Sequence, residues 1–260
     1  MKKPLILVSN DDSITSKGIK HLVDIAQEFG EVLVVAPHYP QSAKSHAITI
    51  ASPLRLYKSN QFGDHIEAYS CDGTPADCIK LAKNHLLKSI DRNQLPDLVL
   101  SGVNHGSNAS ISVIYSGTMG AAIEAAIEGI PAIGFSLCDY DHNGELDHTA
   151  ELMRKIIKNV LEKGLAPNIA LNVNFPKFNG EPIKGIKICR QAHAKWDEKF
   201  DERIDPYNGK YFWMAGDFLG LENAEDTDDH ALKNNYSSVV PCQYDLTAHK
   251  VIESLRGLEL

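Results

Sequence analysis

Two adjacent carboxylates, Asp11 and Asp12, follow directly on the apolar run Leu5, Ile6, Leu7, Val8 and the polar pair Ser9, Asn10. In a nucleotide-binding α/β protein, the turn after such a strand carries glycines whose amides surround a pyrophosphate. Bare carboxylates would repel a phosphate instead. A cation between them removes the conflict, and hard oxygen ligands at the carboxyl end of a strand suit Mg2+ or Mn2+. The pair therefore points to metal-assisted phosphate chemistry. Taken alone, Asp11 and Asp12 also fit a turn and a helix cap. Successive strand residues face opposite ways, so one ion reaches both only if the chain has left strand geometry there, which the loop Ser13 to Gly18 permits. After the pair, no Arg or Lys offsets the charges before Lys17.

Ligands of open α/β sheets bind beyond the carboxyl ends of the strands, and three further loops are loaded at such places. The loop Pro37 to Ser42 is stiffened by two prolines and presents the Ser42 hydroxyl. The loop Ser101 to Asn108 combines glycines with the amides of Asn104 and Asn108. Tyr115, Ser116, Gly117, Thr118 then opens a helix, where free amides, two hydroxyls and a bare Gly117 would cradle a phosphoryl group without a lysine. The same residues also fit a plain Ser/Thr N-cap. Asn10, Asn108, Ser116, Gly117 and Thr118 are accordingly the candidate substrate and phosphate-binding residues, and Asp11 and Asp12 the candidate catalytic ones.

These loops need strands and helices to position them. Apolar runs predict strands at Leu5 to Ser9, Val32 to Ala36, Leu98 to Ser101, Ala132 to Phe135 and Ile169 to Asn174. Helical spacing joins Ile19, Leu22, Val23 and Ala26, then Met119, Ala122, Ile123, Ala126 and Ile127, then Leu152, Ile156, Val160 and Leu161. Thr74 and Pro75 read as the N-cap and first residue of a further helix. The alternation predicts an α/β fold, a Rossmann-like three-layer core with a mostly parallel sheet. After about Phe175 the apolar runs shorten and aromatics appear, Trp196, Tyr211, Phe212 and Trp213 among them. A single domain is expected, with a core over about 1–175 and a C-terminal β-hairpin extension over about 176–260 that packs on a partner subunit or covers its own core.

Composition narrows the function classes. A chain of 260 residues, 43% hydrophobic and 23% charged, has the balance of a globular protein. Its net charge of -8 argues against holding a polynucleotide through its backbone, while a small phosphorylated ligand remains compatible. The five cysteines form no C-x-x-C pair, which speaks against a disulfide framework or a zinc cluster and for a reducing, cytoplasmic setting. The run Leu5 to Val8 is too short for a signal peptide or a membrane span. Asp139, Asp141, Asn143 and Gly144 imitate the start of a calcium loop, but Ala150 stands where the bidentate Glu belongs, so they read as a solvated acidic loop. Among eleven scattered histidines, His46 and His105 fall in or near the site loops, as proton donors or as supporting groups.

Together these segments resemble the SurE family of survival-protein nucleotidases. The resemblance rests on Ser9 to Asp12, Ala36 to Ser42, Cys71 to Pro75, Ser101 to Asn108 and Tyr115 to Thr118, and late in the chain on Asp226 to Asp228 and Asp245 to Thr247. It implies a C-terminal extension used in forming a homodimer or homotetramer, and a divalent-metal-dependent phosphatase acting on nucleoside monophosphates. Carried over by position, the metal ligands would be Asp11, Asp12, Ser42 and Asn104, holding one Mg2+ or Mn2+ per subunit. The residues do not rank 5'- against 3'-monophosphates and leave short polyphosphate open as a substrate. Asn234 and Asn235 stand where the family tends to have glycine.

Two rival readings remain at this level. A covalent aspartyl-phosphate mechanism, as in haloacid-dehalogenase-like phosphatases, wants a D-x-D pair, which the adjacent Asp11 and Asp12 do not supply. A nucleotide-binding or sensing module without catalysis would use the core for recognition alone.

Overall fold

Side-chain alternation along the first strand sets the layering. In a computed structural model that describes residues 3–90, 92 and 94–259, β1 (Leu5–Ser9) sends Ile6 and Val8 to one face of a sheet and Leu5 and Leu7 to the other, all buried. Strands β2 (Glu31–Pro37), β3 (Leu56–Ser59), β4 (Glu67–Cys71), β5 (Leu98–His105), β6 (Ala132–Cys138), β7 (Ile169–Pro176), β8 (Ile186–Ile188) and β11 (Ser237–Gln243) join it. The order is β3-β4-β2-β1-β5-β6-β7-β11-β8. The six strands from β4 to β7 are parallel, while β3 and β11 run antiparallel to their neighbours β4 and β7. A separate antiparallel hairpin is made by β9 (Ala194–Ile204) and β10 (Lys210–Gly220).

Helices α1 (Lys17–Ala26) and α5 (Ala150–Lys163) cover the Ile6 face, where Ile19, Leu22, Val23, Ile156 and Val160 join the core. Helices α2 (Pro75–Leu81) and α4 (Gly117–Ile127) cover the Leu5 face. The first of these has the expected Thr74 cap, made reciprocal by Asp77: the Asp77 N–H donates to the Thr74 hydroxyl and the Thr74 N–H to the Asp77 carboxylate. Alanines 121, 122, 125 and 126 let α4 sit close against the sheet, with Met119 and Ala122 buried and Ile127 at its exposed end. Short elements complete the chain: α3 (Leu87–Ser89), α6 (Asp228–Lys233) and α7 (Ile252–Leu255). Among the described residues no helix is long and apolar enough to cross a membrane.

The five strands read from apolar runs are present, each at least as long as expected. Three differences matter. First, β5 does not stop at Ser101: its pairing with β6 shifts between Ser101 and Asn104 and then resumes, so Asn104 and His105 belong to the strand end. Second, the sheet does not close at residue 175, because β8 and β11 extend it, while the β9–β10 hairpin forms a sheet of its own. Third, β3 and β4 form an edge pair whose half-exposed pattern left no apolar run to read. At the turn into β11, Asn235 has φ +62°, a left-handed conformation that asparagine tolerates better than most residues.

Candidate active site

The strand order reverses direction between β1 and β5, and the crevice beyond their carboxyl ends is where such a sheet takes ligands. The chain leaves β1 at Asn10, whose amide donates to the Ser13 carbonyl at 2.8 Å and to the Ser16 hydroxyl at 2.9 Å. That clamp folds the turn so that Asp11 and Asp12 lie outside strand geometry, as a shared ion requires. It also commits the Asn10 amide nitrogen to the turn, so Asn10 shapes the site rather than donating to a phosphate. Its Oδ1 is buried without a partner among the described residues.

Asp11 is buried against the start of α4. The Thr118 hydroxyl donates to its Oδ1, and a Cβ on Gly117 would lie 2.9 Å from its Cβ and 3.0 Å from Oδ2. Burial, and next the charge of Asp12, push the Asp11 carboxyl up from 3.8 to about 7, with hydrogen bonds from Thr118 opposing. Burial likewise raises Asp12, whose Oδ2 accepts the His105 N–H at 3.1 Å. Lys17 does not neutralise either carboxylate. Its ammonium donates to the carbonyls of Asn143 and Gly144.

Ser42 arrives on a loop fastened at several points. The Gln41 N–H donates to the Asp11 carbonyl at 2.7 Å, the Ser45 N–H to Tyr115 at 3.0 Å, and the Ser45 hydroxyl to Ile114 at 2.6 Å. Asn104 donates its amide nitrogen to the Gly106 carbonyl at 2.8 Å, which leaves its amide oxygen as the available end. Asp11, Ser42 and Asn104 border one cavity of about 580 Å3, together with His105, Asn108, Tyr115 and Ser116. Asp12 is not on that wall and stands behind it, on the His105 amide.

The donor chemistry of this set fits a hard divalent cation. All four candidate side chains offer oxygen, and burial raises the cost of ionising both neighbouring carboxyls, with the charge of Asp12 adding to that of Asp11, a cost that a cation would relieve. Among the described residues no group of three or more His, Cys, Asp or Glu is placed to hold a metal.

The phosphate cradle is more divided than its sequence suggests. The Ser116 hydroxyl is the N-cap of α4, accepting the Met119 N–H at 3.0 Å. The Thr118 hydroxyl has spent its hydrogen on Asp11 and is no donor for phosphate. Asn108 is knitted into a buried network: its amide donates to Ser136 at 2.8 Å, its N–H to Asn174 at 2.8 Å, and its carbonyl accepts from Asn172 at 2.8 Å. His105 borders the cavity, and both its ring nitrogens lack a partner among the described residues. Burial lowers its pKa. His46 is elsewhere, bonded to Glu124 at 2.8 Å on the flank of α4, with Lys80 on the other oxygen at 2.6 Å.

Sequence reasoning missed a whole wall. Trp196 and Glu198 of β9 and Met214 and Gly216 of β10 line the same cavity, joined by Tyr140. The aromatics of this segment were visible, but nothing local tells a hairpin which cleft it leans over. Asp228 was likewise legible only as part of a late motif. It is buried and accepts the N–H groups of Ser110 at 2.8 Å and Ala192 at 2.9 Å, tying the segment before α4 to the base of the hairpin.

The family described as "Survival protein SurE" matches residues 6–198. A protein of Cytophaga hutchinsonii named 5'-nucleotidase SurE is 60% identical over 98% of this chain and 96% of its own length. One of the same name from Flavobacterium psychrophilum is 56% identical over 100% of this chain and 99% of its own. The crystal structure of the SurE protein from Aquifex aeolicus superposes with a TM-score of 0.83 at 38% identity, covering 99% of this chain and 100% of that one.

Proposed function

The chain belongs to the survival protein SurE family, and on that premise we propose that it hydrolyses nucleoside 5'-monophosphates to nucleoside and phosphate, using one divalent ion per subunit. Asp11, Asp12, Ser42 and Asn104 would hold Mg2+ or Mn2+. Bound there, the ion would supply Lewis-acid polarisation of the phosphoryl group and a more acidic water. The observation that carries this reading is the buried Asp11 carboxyl, next to Asp12 in the chain, meeting Ser42 and Asn104 on the wall of a ligand-sized cavity.

The chain's own groups divide the remaining work. Ser116 has accepted the Met119 N–H and keeps its hydroxyl hydrogen for a phosphoryl oxygen, at a helix N-terminus that favours negative charge. Gly117 leaves room for that approach, and Asn108 retains a second amide hydrogen. Thr118 and Asn10 position the carboxylates rather than the phosphate. His105, on the cavity wall with ring nitrogens that lack a partner among the described residues, is our candidate for an acid–base group near the leaving oxygen.

Assembly as a homodimer or homotetramer is part of the proposal. It is supported by exposed apolar side chains on the hairpin, Phe200, Phe212 and Trp213, and on the tail, Leu246 and Leu258. Five free cysteines support a reducing, cytoplasmic setting. The test is phosphate release from nucleoside 5'- and 3'-monophosphates and tripolyphosphate, with Mg2+, with Mn2+ and with chelator. Metal-dependent release from the 5'-monophosphates supports the proposal. Absence of release with every ion would favour a binding module without catalysis.

A further inference from the structure

The hairpin wall of the cavity has a chemistry that phosphate does not need. In the β9–β10 register Trp196 stands opposite Phe218 and Glu198 opposite Gly216, so Trp196, Glu198, Met214 and Gly216 share one face of the ribbon. That face borders the cavity that holds Asp11, Ser42 and Asn104. The Trp196 ring is steadied by Phe218, edge-on at 5.6 Å and 73°. Gly216 contributes no side chain to the wall, and a Cβ there would lie 2.8 Å from the Asp197 carbonyl, so the two backbones approach closely. An indole and a thioether beside bare backbone form a flat, polarizable surface, whereas a phosphoryl group is served by hydrogen-bond donors such as the Ser116 hydroxyl.

We propose that this hairpin face is the nucleobase site, with Trp196 as the stacking platform, and that it makes the enzyme prefer nucleotides to simpler phosphomonoesters. The proposal rests on the nucleotidase reading and deepens it. Every base offers a π-face, and these four wall residues offer hydrogen-bonding side-chain atoms only at the Glu198 carboxylate and the Trp196 indole N–H, so recognition depends mainly on stacking and tolerates all bases. Larger purines gain more than pyrimidines. A carboxylate at Glu198 accepts from ribose or amino hydrogens and repels further phosphates.

The test compares a purine nucleoside 5'-monophosphate, a pyrimidine one and ribose 5-phosphate under metal-loaded conditions. Wild type is expected to show KM rising in that order, with kcat little changed. Trp196→Ala should raise KM for the purine nucleotide by about tenfold or more, the scale of one base stack, and leave ribose 5-phosphate unchanged. Trp196→Phe should recover part of the difference, which separates loss of the platform from loss of fold. Equal losses for the nucleotides and ribose 5-phosphate would overturn the platform while leaving the nucleotidase intact. Hydrolysis of none of the three by folded wild type would overturn both.

Discussion

The Thr118 hydroxyl donates to Oδ1 of Asp11 across 107 residues of sequence, joining the start of α4 to the turn after β1. This contact orients a carboxylate that sits inside the protein and would otherwise face only the charge of Asp12. Groups that hold metal ligands in place commonly change metal affinity by 10- to 100-fold when removed. Thr118→Val keeps the shape and deletes the donor. Calorimetric titration with Mn2+ should show affinity weakened by about tenfold or more, with stability lowered by only about 1 kcal/mol.

Gly117 tests the same carboxylate from the other side. A methyl group there would meet Asp11 Cβ at 2.9 Å and Oδ2 at 3.0 Å, closer than side chains normally approach. Gly117→Ala also replaces glycine in the first turn of a helix, which by itself favours the helix by up to about 1 kcal/mol. The expected result is an unchanged circular dichroism spectrum and near-normal unfolding midpoint, with Mn2+ affinity and phosphate release both reduced.

Asp11 also sets a pH dependence. Its folded-state value of about 7 lies above the ordinary 3.8, so the ion-free folded protein holds a proton that the unfolded chain has already lost. Stability from this group is therefore present at low pH and falls as pH rises from about 4 to about 7. A bound cation must displace that proton, so its affinity weakens as pH drops below about 7. Thermal unfolding with chelator and with excess Mn2+ should show a metal-induced gain that grows between pH 5.5 and 8.

Glu124 carries the opposite sign. Burial pushes its carboxyl up, but hydrogen bonds from His46 and Lys80 outweigh burial and hold it below its ordinary value. Its stabilising contribution is present above about pH 4.5 and is lost as pH falls through the depressed value. Glu124→Gln should cost roughly 2 kcal/mol at neutral pH, measured by urea unfolding, because both partners are partly solvated. Through His46 the loss also loosens the loop that carries Ser42.

The parts of the site that were legible in sequence are those written in one short stretch. Asp11 and Asp12 stand where an apolar strand gives way to a helix, and Ser42 follows the next strand in the same manner. What escaped notice depends on contacts between distant segments. No local pattern says that the Thr118 hydroxyl turns to Asp11 instead of to a phosphate, or that Asn108 is engaged by Ser136, Asn172 and Asn174. In the fold, β8 has three residues and β11 a mixed run around Pro241, so neither announces itself as part of the main sheet. Trp196 was visible as an aromatic, but only the hairpin's lean over the crevice makes it part of the site.

The measurement closest to the central claim is Mn2+ binding and phosphate release, made side by side on wild type, Asp11→Asn and Asp12→Asn. The account predicts one ion bound per wild-type subunit and metal-dependent release from nucleoside 5'-monophosphates. It predicts both signals lost in either variant while the fold persists by circular dichroism. Full turnover by Asp11→Asn, or turnover by chelator-treated wild type at the metal-loaded rate, would contradict it.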